Sequence, residues 1–134
     1  MNAFTRRHLL AGLAMAAVLL AAAGADALTR RLPFGQKAFD AAQASGRSIL
    51  VEVHASWCPV CKVQRPFLTK LGQNPKYQKI AYFEVDFDRQ KDVLRALRVS
   101  KQSTLIVFKG KKEVARSTGD TNHASIEALV AKSL

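Results

Sequence analysis

The chain predicts an α/β domain built on a mixed β-sheet with helices on both faces. The segments alternate as strand–helix–strand–helix and close as strand–strand–helix. Ile49-Leu50-Val51-Glu52-Val53 is an almost unbroken apolar run, the pattern of a strand buried on both faces. Gly110-Lys111-Lys112 lies between two β-rich runs as a hairpin turn, so parallel and antiparallel pairing share one sheet. A length of 134 residues suits one domain with one core.

Residues 1–27 are expected to stand apart from that domain. Met1 to Arg7 form a basic head, Leu9 to Ala23 are almost wholly Ala, Leu, Val and Met, and Ala25-Asp26-Ala27 supplies a small-x-small site. Together these have the form of a cleaved secretory signal peptide. The apolar stretch is short for a membrane span, which needs roughly 20 residues; an uncleaved anchor is the alternative. Thr5-Arg6-Arg7-His8-Leu9-Leu10 resembles a twin-arginine export signal. The two arginines also serve as the head of an ordinary signal, and both routes stay open. Either one delivers residues 28–134 to the periplasm or another exported, oxidising compartment, with no stable membrane insertion after cleavage.

The elements of the exported part follow in order. Leu28 to Gly35 reads as an irregular entry segment. Gln36 to Ala44 repeats Ala38, Phe39, Ala41 and Ala42 at helical spacing, and Gly46 is placed to end that helix. Ser48 to His54 is a strand. Pro59 to Gly72 is a helix with Val60, Val63, Phe67, Leu68 and Leu71 assigned to its inner side, and Pro66 should kink it. Ile80 to Phe87 is a strand and Lys91 to Leu97 a short helix. Thr104 to Lys109 and Glu113 to Ser117 are the hairpin strands. Thr121 or Asn122 can cap a last helix that buries Ile126, Leu129 and Val130.

Setting aside Arg6, Arg7 and Asp26 leaves 19 basic and 9 acidic residues and a net charge of +10. The basic residues are scattered and no nucleic-acid motif accompanies them. They read as a solvated surface, and nucleic acid is not expected as a partner.

The chain has two cysteines, Cys58 and Cys61, at the junction of a strand and a helix. A structural disulfide between them would close too small a loop to constrain the unfolded chain much. A zinc site would be half complete, since neither His54 nor His123 stands at ligand spacing. A redox pair suits the position. A sulfur at a helix N-terminus meets unpaired N–H groups and the positive end of the helix dipole, which favour thiolate. Cys61, one turn on, can attack a mixed disulfide formed at Cys58.

Trp57-Cys58-Pro59-Val60-Cys61-Lys62 with Pro66, Val85-Asp86-Phe87-Asp88, Thr104-Leu105-Ile106-Val107-Phe108-Lys109-Gly110 and Gly119 together resemble the thioredoxin family across nearly the whole exported part. The resemblance implies the thioredoxin fold, a Cys58–Cys61 redox-active disulfide, and exchange with protein thiols and disulfides. No cofactor or metal is implied, and the chain is expected to be a monomer served by a membrane-bound redox partner protein. Glu52 matches the family's buried acid. Desolvation in an apolar strand disfavours its charged form, and it is expected to carry the proton of Cys61. Trp57, Ser103, Thr104 and Gly119 are expected to line the substrate groove. His54 reads as a packed histidine and His123 as a surface one.

Two positions depart from the family pattern. Ser103 stands where the family carries a cis-proline facing the cysteines. Either the Gln102–Ser103 bond is cis, or the loop is trans and differently shaped, which would put main-chain pairing with an extended substrate in doubt. In this fold the proline also keeps metals off the cysteines, so its loss raises the metal reading slightly. Glu84 stands where a lysine often partners the buried acid; it either crowds Glu52 with a second carboxylate or points to solvent.

Overall fold

The computed structural model describes residues 30–134, and the segment read as a signal peptide lies outside them. The elements run β1 (Leu32–Pro33), α1 (Gln36–Ala44), β2 (Ser48–His54), α2 (Pro59–Gly72), β3 (Ala81–Asp86), α3 (Lys91–Ala96), β4 (Thr104–Lys109), β5 (Lys112–Thr118) and α4 (His123–Ala131). The sheet order is β1-β3-β2-β4-β5. β1, β3 and β2 are parallel, while β4 runs antiparallel to β2 and to β5. The central strand β2 is thus paired on both sides, which explains its nearly continuous apolar run.

Side chains alternate across the strands and divide the core in two. Ile49, Val51, Val53, Phe83 and Ile106 meet Phe39 and Ala42 of α1 and Val93 and Leu94 of α3. Leu50, Tyr82, Leu105 and Val107 meet Leu68 and Leu71 of α2 and Ile126, Leu129 and Val130 of α4. Helices on both faces of a mixed sheet are therefore what the sequence predicts.

Two local expectations change. The entry segment contains β1, a two-residue edge strand pairing Leu32 with Phe83 and Pro33 with Glu84. An edge strand tolerates Pro33 because its missing N–H interrupts no ladder on the outer side. Val63 lies outside, half exposed at 51%, and the buried stripe of α2 is Cys61, Gln64, Leu68, Leu71 and Gly72. Helical phase, rather than the apolar character of Val63, sets that face, and it draws in the polar Gln64. The helix continues through Pro66 to Gly72, at the cost of one main-chain bond to Lys62. Of the two candidate caps for α4, Asn122 does the work, its Oδ1 accepting the Ser125 N–H at 3.0 Å.

Candidate active site

β2 ends at His54 and α2 begins at Pro59, so the intervening turn delivers Cys58 to the N-cap of α2. Proline at the first helical position lacks an N–H that would otherwise go unpaired, and its fixed φ suits the start of the helix. Cys58 Sγ accepts the N–H of Cys61 at 3.1 Å and forms a disulfide with it, the Cα atoms 5.3 Å apart. A sulfur at the N-cap receives the orphan donors of the first turn and the field of the helix, both of which stabilise a thiolate once the bond is reduced. Both cysteines are fully buried in this oxidised state, packed with Ala55 and flanked by Val60 and Phe87. Cys61 Sγ lies 4.0 Å from the Val53 carbonyl.

Trp57 stands beside the pair, 53% exposed. Its indole N–H donates to Asp88 Oδ2 at 2.9 Å and its ring meets Phe87 edge-on at 6.2 Å, so the large apolar surface is held outward by fixed contacts.

Ser103 settles the question of the loop. No cis peptide bond occurs among the described residues, and Ser103 adopts φ +57° in the left-handed region. For a residue with a Cβ that conformation costs about 1–2 kcal/mol. Hydrogen bonds hold it. The Ser103 N–H donates to the Val53 carbonyl at 2.8 Å, and the Ser103 carbonyl accepts the Gly119 N–H at 3.0 Å and Gln64 Nε2 at 3.3 Å. The Ser103 hydroxyl donates to the Gln102 carbonyl, and that of Thr104 donates to the Lys101 carbonyl at 2.8 Å. The carbonyls of residues 101–103 are thus all engaged within the protein. Gly119, at φ +74° with open space where a Cβ would stand, brings the far loop against Ser103. Thr104 is buried beside Thr118, 2.9 Å between hydroxyls, and shares the sheet face of Ile106 and Phe108. It also lines a basic hollow of about 300 Å³ with Arg98, Lys101 and Arg116.

Gln64 joins these parts and was not singled out from the sequence, where it reads as an ordinary polar helix residue. It is fully buried, and its Nε2 donates to the carbonyls of Ser103 and Asp120, the latter at 2.8 Å. Its Oε1 has no partner. An unpaired buried acceptor costs about 1–3 kcal/mol.

Beneath the cysteines, Glu52 is fully buried on the face of β2 that meets α2. Glu84 is its register neighbour on β3. Glu84 neither crowds Glu52 uncompensated nor points away to solvent, because two arginines bridge the two carboxylates. Arg65, one turn beyond Cys61, places Nε 3.2 Å from Glu52 Oε1 and pairs through Nη2 with Glu84. Arg31, just before β1, places Nε 3.0 Å from Glu52 Oε2 and 3.6 Å from Glu84, with its guanidinium over the Tyr82 ring. The Tyr82 hydroxyl donates to Glu52 Oε2. Burial, then the Glu52 charge, pushes the Tyr82 hydroxyl well above its ordinary range, so it stays a donor. Glu52 therefore lies in a charge-balanced cluster rather than in a bare apolar strand. The entry segment offered no signal for Arg31; Arg65, four residues after Cys61, could have been found from helical spacing.

His54 follows on the same strand face, its Nδ1 3.7 Å from Glu52 Oε1 and without a hydrogen-bond partner. Burial, then the nearby Arg65, holds the imidazole below its ordinary range and hence neutral at pH 7. His123 is on the surface at the start of α4, stacked on Phe67 with centroids 4.1 Å apart. Among the described residues no group of three or more His, Cys, Asp or Glu stands ready to hold a metal ion, and no helix is long and apolar enough to cross a membrane.

A helix-capping cysteine pair at the end of the central strand of this sheet defines a protein of dithiol–disulfide exchange. The thioredoxin family model matches residues 32–132. The chain is 36% identical over 97 residues to thioredoxin-2 of Saccharomyces cerevisiae, covering 72% of this chain and 90% of that one. It is 33% identical over 95 residues to human thioredoxin, covering 71% and 86%. The crystal structure of Trxlp from Edwardsiella tarda superimposes with a TM-score of 0.73 at 44% identity, covering 75% of this chain and 98% of that one. The chain belongs to the thioredoxin family and is a thiol–disulfide oxidoreductase.

Proposed function

We propose that the protein is an exported reductant of protein disulfides, with Cys58 as nucleophile and Cys61 as resolving thiol. The observation that carries this reading is the Cys58 sulfur at the cap of α2, bonded to the Cys61 N–H. In the reduced protein the Cys58 thiolate attacks a substrate disulfide and expels one substrate thiolate. Cys61 then gives up its proton and attacks the Cys58 sulfur, expelling the second. Two electrons pass from the dithiol to the substrate, and Cys58–Cys61 is left as a disulfide for a membrane-bound partner to reduce. Glu52 carries the proton of Cys61, held in place by Arg31, Arg65 and Tyr82. Trp57, Val60 and the half-exposed Val63 form the apolar docking surface, beside the joined loops of Ser103 and Gly119, while Thr104 is buried on the opposite face of the sheet.

Likeness to thioredoxins over most of the domain supports the reducing direction. The basic head, apolar stretch and Ala25-Asp26-Ala27 site support export of a chain beginning at Leu28. The test is reduction of insulin disulfides by the exported form and by Cys58→Ser. Activity in the first and loss of at least a hundredfold in the second is expected; equal activity in both overturns the reading. A reduction potential near about −270 mV marks a reductant, and one near about −120 mV would make the protein an oxidant instead. Fractionation of cells expressing the full chain, with N-terminal sequencing, should recover a product starting at Leu28.

A further inference from the structure

Resting on the exchange reading above, we infer that Gln64 is a positioning residue that fixes the Ser103 loop beside the cysteines, where an extended substrate would lie. Ser103 cannot impose its own conformation, since its left-handed φ is one that a residue with a Cβ disfavours. Something else must hold the loop. The Val53 carbonyl takes the Ser103 N–H from below, and Gly119 bonds the Ser103 carbonyl from the side. Gln64 adds a side-chain tie to the same pair of loops, donating to the carbonyl of Ser103 on one and of Asp120, next to Gly119, on the other. It stands three residues after Cys61 on the buried stripe of α2, so the same helix carries the resolving thiol and the tie.

The residue type supports the assignment. A methionine or leucine would fill this fully buried place without leaving an acceptor unpaired, whereas Gln64 Oε1 has no partner. What the amide gains there is two donated bonds to two loop carbonyls. Substrates that lie along these loops need them in register with the cysteines; a small disulfide needs only the sulfur.

The test is single-turnover oxidation of the reduced protein, followed by the fluorescence of Trp57, the one tryptophan of the chain. One substrate is a disulfide-bonded peptide and the other is bis(2-hydroxyethyl) disulfide. For Gln64→Met the peptide concentration at half-maximal rate should rise about tenfold, with the maximal rate, the small-disulfide rate constant and the reduction potential unchanged within about twofold. Gln64→Asn keeps the amide one methylene short of both carbonyls and should show the same split, which covers the case in which the methionine variant does not fold. Parallel changes with both substrates, or no change with the peptide, overturn the assignment. A wild-type protein with no Cys58-dependent exchange would instead overturn the exchange reading itself.

Discussion

The two buried faces of the sheet are built on different terms. Against α1 and α3 the core is aromatic and aliphatic, with Phe39 packed on Phe34, Phe83 and Phe108 at centroid distances of 5.0, 5.9 and 5.3 Å. Against α2 and α4 the same strands also bury Glu52, with Gln64 descending from the helix above. The first face is held by burial and dispersion, which need volume and little direction. The second is held in part by bonds whose partners must be in place, because a buried charge or amide left alone costs more than it contributes. The cysteines sit over the second face. Chemistry that moves a proton and aligns a substrate requires polar groups, and the fold accepts them where Arg31, Arg65 and Tyr82 can compensate.

That contrast can be broken from either side. The largest effect is expected on the apolar face, where Phe39→Ala should lower stability by about 3–5 kcal/mol in denaturant unfolding. Insulin reduction per folded molecule should stay unchanged, because Phe39 lies across the sheet from the cysteines. Glu52→Ala comes next, at about 2–4 kcal/mol, since it strands two guanidiniums that keep about a quarter of their surface in water. It should also slow resolution of the mixed disulfide, and adding Arg65→Met should recover part of the stability but not the rate. If Glu52→Ala matches wild type in stability, the cluster is not what holds this face.

Two smaller effects sharpen the comparison. Ser103→Gly should raise stability by about 1 kcal/mol by relieving the left-handed φ; a loss would mean that the hydroxyl bond to Gln102 outweighs that strain. The smallest effect belongs to His54. Its folded form takes up a proton less readily than the unfolded chain, so its contribution is complete above pH 6.5 and fades as pH falls below it. Unfolding between pH 7.5 and 5.5 should therefore show a steeper loss for wild type than for His54→Gln, and identical slopes would remove His54 from the account.

Local rules reach far in this chain. The limits of α1, β2, α2 and β4 follow from apolar period, turn residues and caps, and the structure has them at the residues expected. The cysteine pair at a strand–helix junction is equally legible, because its chemistry needs only a helix N-terminus and one turn of spacing. Where a residue type and its surroundings conflict, the reading fails. Val63 is apolar and faces water, while Gln64 is polar and fully buried, because helical phase overrides side-chain character.

What the amino-acid order could specify, then, is the set of elements and the position of the sulfurs, both consequences of neighbours along the chain. The surroundings of those sulfurs came only with the packed sheet. Arg31 and Arg65 reach Glu52 from the entry segment and from a helix, and Gln64 ties two loops distant from it in sequence. Charge balance and loop shape depend on which segments meet in space, and periodicity carries no information about that.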